Sequence, residues 1–253
     1  MPFALVGLFS LTLLWLGCEL TLEGEPPPLA VSHEPFHVTN VSLQNGTLDV
    51  PLNQPVTFEF NHYLDRDSFE YYNAVTLQSG YLSTPGVARY WHAGRTIEFF
   101  PSRDMRPGLN YVVRINADTV RSLDGSELAQ PAEVMFQTAS EGTVEVSRDL
   151  PVLSFETDVR PLFEARCGGC HGPDSALVQL DYETLSDRES SQIPGRDLVV
   201  PFAPETSYLL HKVLTDYPDR RLDPMPPIWS ADEGLSVEQQ RVVEQWIVSG
   251  ARP

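Results

Sequence analysis

The chain has little lysine and little positive charge of any kind. Lys212 is its one lysine, and 17 lysine and arginine residues stand against 35 aspartate and glutamate residues, which gives a formal net charge of -18. A polyanion of this kind repels phosphate backbones, so the composition excludes nucleic acid as a partner. An acidic surface favours instead a partner protein that carries a basic patch.

Cysteine is equally scarce. The 253 residues include three cysteines, Cys18, Cys167 and Cys170, and none lies between positions 19 and 166. An odd and small number of cysteines excludes a disulfide scaffold, so the folded parts must be stabilised by apolar cores. The length suits two domains, at roughly 100–150 residues for each domain.

The first eighteen residues contain no charged side chain. Their apolar run, Phe3 to Leu16, is shorter than the ~20 residues that cross a bilayer, so it predicts a signal peptide. The run ends in Leu16-Gly17-Cys18, which resembles a bacterial lipobox. The resemblance implies a signal peptide over 1–18 and a membrane anchor through lipid on Cys18. A cleaved soluble protein and an uncleaved anchor are the alternatives.

Two segments lack the period of a helix or a strand. Residues 19–36 are rich in proline and glutamate, and residues 140–154 are polar and separate two parts of different composition. We expect the first segment to be an extended tether and the second to be a linker between two domains.

Residues 37–139 alternate between apolar and polar side chains in several short runs. A period of two residues is typical of a half-buried strand, and glycine-containing turn signals separate the runs. The runs include the following residues: Val56, Phe58, Phe60, Ile97, Phe99, Tyr111, Val113, Ile115, Val134 and Phe136. About seven strands in this length predict an all-β sandwich.

Three stretches of this part, DVPLNQPVTFEFNHYLD, TIEFFPSRDMRPGLNYVVRI and VMFQT, resemble a bacterial Ig-like module of envelope proteins. The resemblance implies an Ig-like sandwich in which Tyr111 is buried with its hydroxyl hydrogen-bonded. We expect the sandwich to act as a spacer or docking module, because it contains no convincing catalytic or metal-binding cluster.

Residues 155–253 show helical spacing instead of alternation. Val159, Leu162, Phe163, Cys167 and Cys170 recur at intervals of three and four, which places both cysteines at one end of a helix. A second helix is predicted near the C-terminus, with a capping box at its start, a glycine after its end and an apolar stripe. These features use Ser236, Gln239, Val242, Val243, Trp246, Ile247 and Gly250. We expect Trp246 to pack in the core first and to contact a cofactor second.

The stretch 165–173, ARCGGCHGP, places two cysteines two residues apart and a histidine directly after them. A structural zinc site needs four ligands, commonly two cysteine pairs, and the chain has no second pair. A thioredoxin-like dithiol needs a helix that starts at the motif, whereas here the predicted helix precedes it. Covalent haem uses all three residues: Cys167 and Cys170 form thioethers and His171 binds the iron. We favour haem c, with zinc and dithiol sites as alternatives.

Haem iron in an electron carrier commonly has a second protein ligand. Met225 is the main candidate, because it lies in DPMPP, where the flanking prolines stiffen the backbone and remove amide donors. His211, in the predicted helix SYLLHKVL, is the second candidate, and it is otherwise an exposed helical residue or one beside the haem edge. A third possibility is an open or water-bound position.

Four stretches in order, VRPLFEARCGGCHG, LVVPFAPETSYLLHKV, DPMPP and LSVEQQRVVEQWIVSGA, resemble a small class I c-type cytochrome domain over residues 155–253. The resemblance implies an all-α cytochrome c fold, in which the first and last helices cross, with one covalent haem c bound by His171 and Met225. It implies a single-electron carrier rather than an enzyme.

The leader and the haem motif indicate the same compartment, since c-type haem is attached outside the cytoplasm. We therefore predict a lipoprotein of the bacterial cell envelope, facing the periplasm or the cell surface, that serves a redox partner protein there. One alternative is a haem-bearing subunit of an envelope oxidoreductase or peroxidase-like enzyme. The other is a structural protein whose sandwich binds envelope polymer.

Overall fold

The computed structural model of the chain describes residues 34–172, 174, 177–227 and 234–253. The predicted signal peptide, its lipidation site Cys18 and most of the tether predicted over 19–36 lie outside the described residues. Within those ranges, no helix combines the length and the apolar character needed to cross a membrane.

The N-terminal part is a sandwich of two sheets, as the alternating pattern predicts. Its strands are β1 (Val38–Val41), β2 (Thr47–Val50), β3 (Val56–Phe60), β4 (Val75–Ser79), β5 (Leu82–Ser83), β6 (Gly86–Trp91), β7 (Thr96–Pro101), β8 (Asn110–Ile115) and β9 (Glu133–Thr138). One sheet has the order β1-β3-β7-β6 and the other β2-β9-β8-β4-β5. Neighbouring strands are antiparallel except β2 and β9, which are parallel.

The inward residues of the alternating runs form the sandwich core. Phe58, Ile97 and Val113 are fully buried, and Tyr111 is 2% exposed. The Tyr111 hydroxyl accepts a hydrogen bond from the Arg106 N–H at 2.9 Å, which confirms the predicted buried tyrosine. Because a buried hydroxyl without a partner is costly, this bond lets a large aromatic ring fill the core.

The C-terminal part is helical, as predicted. A π-helical turn, Phe155–Val159, leads into α1 (Arg160–Arg166), which is followed by α2 (Gly168–His171), α3 (Tyr182–Asp187), α4 (Tyr208–Val213) and α5 (Val237–Val248). The start of this part packs on α5, where the rings of Phe155 and Trp246 lie 5.6 Å apart. Trp246 is fully buried and its Nε1–H donates to the Arg252 carbonyl oxygen at 2.8 Å, so it is a core residue as expected.

Both ends of α5 have the predicted chemistry. The Ser236 hydroxyl accepts from the Gln239 N–H and the Gln239 side chain accepts from the Ser236 N–H, which completes a capping box. After the helix, Gly250 has a φ of +103°, and a Cβ at this position would lie 2.7 Å from the ring of Phe202. The helix end therefore requires glycine both for its backbone conformation and for the space.

The sandwich and the helical part are joined by a buried contact. The turn between β6 and β7 meets α5, where Glu244 is 1% exposed. Its Oε1 accepts from the backbone N–H and from Nδ1 of His92, and its Oε2 accepts from the Ala93 N–H, each at 2.8 Å. Beside this contact, the Arg241 guanidinium donates to Glu98 and Thr96 at 2.9 Å.

Apolar packing continues across the same boundary. Tyr63 and Ala93 of the sandwich belong to the buried cluster of the helical part, and the ring of Tyr63 lies 4.9 Å from that of Tyr217. The interpretation of the sandwich as a spacer alone is therefore incomplete, because sandwich residues complete the helical core. The predicted linker also lies on the sandwich, since Asn53 makes two hydrogen bonds to the backbone of Val144.

Candidate functional site

The CGGCH stretch forms a single helical turn at the end of α1. Cys167 follows the last residue of α1 and its N–H donates to the Phe163 carbonyl oxygen at 2.8 Å. The N–H groups of Cys170 and His171 both donate to the Cys167 carbonyl oxygen, at 3.1 and 2.9 Å. The structure thus brings Cys167, Cys170 and His171 together on one turn, as the helical spacing predicts.

The two cysteines of this turn have different surroundings. Cys167 is half-buried and packs against the helical core, whereas Cys170 is exposed. Gly169 lies between them, and a Cβ placed there would have no described atom within 4 Å. Among the described residues, the turn therefore leaves open space beside Gly169, between the two cysteines.

The electrostatics of Cys167 disfavour a redox dithiol. Neither cysteine forms a disulfide, and burial raises the pKa of Cys167 to about 11. A reactive dithiol requires the opposite, because the attacking sulfur is a thiolate stabilised by a lowered pKa. A thiol that becomes a thioether leaves no charge on the sulfur, and this product suits a half-buried position against the core.

A zinc site has little support in this part of the molecule. Among residues 34–172, 174, 177–227 and 234–253, no group of three or more His, Cys, Asp and Glu side chains could hold a metal ion. Structural zinc needs four such donors, and the described residues do not bring four together. Haem iron makes a smaller demand on the protein, because the porphyrin supplies four nitrogen ligands and the chain only the axial ones.

The imidazole of His171 is oriented by a backbone carbonyl. Its Nδ1 lies 2.6 Å from the carbonyl oxygen of Val178. A carbonyl oxygen only accepts, so Nδ1 carries the proton, and Nε2 of the neutral ring keeps its lone pair. A second hydrogen bond of this kind is what fixes the tautomer and ring direction of histidines that bind metals.

Met225 lies in a half-buried loop that is tied to α4. Its N–H donates to the Lys212 carbonyl oxygen at 2.7 Å. Lys212 is 8% exposed, and its ammonium donates to the carbonyl oxygens of Arg221 at 3.0 Å and Asp223 at 2.6 Å. Burial lowers the pKa of Lys212 to about 8, so the side chain remains mostly charged at neutral pH.

His211 is buried in the structure, with an exposed fraction of 1%. It is therefore not the exposed helical residue that one interpretation of the sequence describes. Its Nε2 lies 3.0 Å from the Glu205 carbonyl oxygen, so Nε2 carries the proton. The Arg196 guanidinium donates to Nδ1 at 3.4 Å, and the ring stacks on Tyr217 at 4.0 Å. Burial lowers the pKa of His211 to about 4, which keeps the ring neutral. Both ring nitrogens of His211 therefore have protein partners, whereas Nε2 of His171 keeps its lone pair, and this difference favours His171 and Met225 as the ligand pair to test.

Sequence reasoning missed the role of Lys212. All six residues of α4 are buried, Tyr208, Leu209, Leu210, His211, Lys212 and Val213. A charged side chain inside a fully buried helix must have partners, because an unpaired buried charge is very costly. The lone lysine in the apolar stretch YLLHKV was therefore a signal, although it did not identify the carbonyl groups that Lys212 binds.

Comparisons with solved structures find only limited likeness. The chain is 11% identical to domains 1–6 of the surface layer protein SbsC, with a TM-score of 0.32. This match covers 42% of the present chain and 14% of the SbsC chain. It is 20% identical to L,D-transpeptidase 1 of Mycobacterium tuberculosis, with a TM-score of 0.28, over 41% of the present chain and 38% of the transpeptidase chain. It is 13% identical to CopC of Methylosinus trichosporium OB3b, with a TM-score of 0.34, over 44% of the present chain and 99% of the CopC chain. The chain thus spans less than two fifths of the length of the first two.

Family models match the two parts of the chain separately, while no curated protein matches it significantly. Residues 32–138 match the model described as a bacterial Ig-like domain, which fits the sandwich. Residues 167–228 match the model described as Planctomycete cytochrome C, and this range contains Cys167, Cys170, His171 and Met225. The chain therefore combines a region similar to bacterial Ig-like domains with a region similar to Planctomycete cytochromes c.

Proposed function

We propose that the protein is an envelope-anchored c-type cytochrome that carries single electrons on one covalent haem c. Cys167 and Cys170 hold the haem through two thioethers, and His171 and Met225 are the axial ligands of its iron. The observation that carries the proposal is the hydrogen bond from His171 Nδ1 to the Val178 carbonyl oxygen, which leaves the Nε2 lone pair for iron on the same turn as Cys167 and Cys170, neither of which forms a disulfide. The match of residues 167–228 to a cytochrome c family model supports it.

When bound, the haem supplies an iron that exchanges one electron between its ferrous and ferric forms. A His/Met ligand pair favours a raised reduction potential. Because His171 and Met225 fill both axial positions in this proposal, a substrate has no vacant position on the iron. The protein is therefore a carrier of electrons rather than an enzyme of oxygen or peroxide chemistry.

The surface charge indicates how a redox partner docks. With a net charge of -18, the chain attracts a partner protein with a basic patch, and this attraction weakens as salt is added. Its one lysine, Lys212, is buried, so docking does not depend on exposed lysines. Electron-transfer encounters of this kind are weak and use small surfaces, below roughly 1,200 Å² in total.

The axial assignment is tested by Met225→Ala in the full chain matured with haem. The ferric wild-type protein is expected to show the far-red absorption band of a methionine–iron bond, and the variant is expected to lose it completely while the haem stays attached. Met135→Ala is the matched control, because Met135 is 53% exposed in the sandwich and the band should survive there. A band that persists in Met225→Ala would show that the ligand assignment is wrong.

The anchor is tested separately by Cys18→Ser. Wild-type protein made in the presence of a labelled lipid precursor is expected to carry the label and to sediment with membranes. The variant should carry none, because the acyl chains attached at Cys18 provide the anchoring, at about 0.8 kcal/mol for each buried CH₂ group. The haem spectrum should be unchanged in this variant. Label that remains on Cys18→Ser contradicts lipidation at this residue.

A further inference from the structure

The loop that carries Met225 has few backbone donors of its own. Pro224, Pro226 and Pro227 have no N–H, so Met225 provides the single amide donor between positions 224 and 227. That donor is used on the Lys212 carbonyl oxygen at 2.7 Å. A segment of this composition must be held largely through its carbonyl oxygens, and these need donors from another element.

Lys212 supplies those donors from α4. Its ammonium donates to the carbonyl oxygens of Arg221 at 3.0 Å and Asp223 at 2.6 Å. An ammonium has three donors, so one side chain can join two carbonyl groups of a loop at once. Together with the bond between its own carbonyl oxygen and Met225, Lys212 contacts the loop at three positions between 221 and 225.

The Leu222 side chain adds little packing to the turn between the two carbonyl groups. Leu222 has a φ of +58°, in the left-handed region that a leucine rarely adopts, and its side chain is 76% exposed. Tyr208 and Arg220 also contact this turn, through the Arg221 N–H at 3.3 Å and the Leu222 carbonyl oxygen at 3.2 Å. The bonds of Lys212 reach further along the loop, to the residue before Pro224 and to Met225 itself.

We propose that Lys212 is a positioning residue that keeps the loop 221–225 closed and so presents the Met225 thioether to the haem iron. The inference rests on the proposed ligation by His171 and Met225 and names the residue that maintains it. Lys212 does not touch the iron in this account. It acts through the backbone of the loop, and its long apolar stem lies in the core of the helical part.

The test measures how easily an added ligand displaces Met225. Ferric full-length protein with its haem is titrated with imidazole while the far-red band is followed. Lys212→Met keeps the length and apolar stem but removes both donated bonds, so we expect imidazole to bind roughly 10- to 100-fold more tightly than to the wild type. Lys212→Arg, which can still donate to two carbonyl groups, is expected to restore most of the wild-type resistance.

A purely structural role of Lys212 predicts a different result. Glu244→Gln is the control, because it weakens the contact between the sandwich and α5 without altering a group that touches the loop. It should lower resistance to denaturant and leave the imidazole affinity unchanged. If Lys212→Met gives too little haem-loaded protein, Lys212→Gln replaces it in the titration, because its side chain keeps one amide group as a donor. An imidazole affinity between those of the wild type and a fully displaced loop supports the inference, and a wild-type affinity overturns it.

The two proposals fail in distinguishable ways. If the wild-type protein shows no far-red band, or keeps one in Met225→Ala, the proposed ligation is wrong. If the wild-type band depends on Met225 but Lys212→Met resists imidazole as well as the wild type does, the ligation stands and the role of Lys212 is overturned.

Discussion

A chain that carries Cys167→Ala and Cys170→Ala together is expected to lose all covalently held haem. In the proposed attachment, each thiol of the wild type would add across a vinyl group, with the sulfur bonding to one carbon and the proton going to the other. Neither thioether can form in the double variant. After denaturation and extraction with acidic organic solvent, the colour should stay with the wild-type chain and pass entirely into the solvent for the double variant.

The single variants make this result specific. Cys167→Ala or Cys170→Ala alone retains one thiol, so some colour should remain on the chain, with the spectrum shifted by the unreacted vinyl group. Met225→Ala is the matched control for attachment, because it removes the proposed axial ligand and leaves both thiols in place. Colour that is extracted from the wild type, or that stays on the double variant, would rule out covalent attachment at this motif.

The local features of the fold could be predicted from sequence because each is decided within a few residues. The period of two in PVTFEFN gives β3, and the capping box of Ser236 and Gln239 starts α5 where the pattern places it. The turn formed by Cys167, Cys170 and His171 follows from spacing in the same way. Such signals are short-range, so they need no knowledge of the tertiary structure.

The partners of these residues could not be predicted, because they are distant or carry no sequence signature. His171 is oriented by the backbone carbonyl of Val178, and every residue has such a carbonyl. Met225 is held through carbonyl groups as well. Glu244 resembles an ordinary surface glutamate of a helix, yet it is buried against a turn that lies 152 residues earlier in the chain. These contacts depend on tertiary packing, which a short window of sequence does not contain.

Replacing Glu244 with alanine is expected to lower the free energy of unfolding by about 3 kcal/mol or more, because each buried donor left without an acceptor costs ~1–3 kcal/mol. The carboxylate accepts three hydrogen bonds from His92 and Ala93, and the alanine variant leaves these donors buried without an acceptor. Glu244→Gln should cost about 1–3 kcal/mol, because one carbonyl oxygen remains but the amide nitrogen faces a donor. Urea unfolding of the full-length protein measures both.

A second glutamate variant and a protease assay distinguish the loss of a buried contact between the two parts from a general effect of removing a glutamate. Glu164 is exposed on α1, and Glu164→Ala should leave the urea midpoint unchanged. In Glu244→Ala the sandwich and the helical part should separate more often, so protease should cut between residues 140 and 154 faster than in the wild type. If Glu244→Ala behaves like Glu164→Ala in both measurements, the sandwich is a spacer after all. If the predicted loss is observed, the contact of Glu244 with His92 and Ala93 stabilises the helical part, and the sandwich has a structural function beyond that of a spacer.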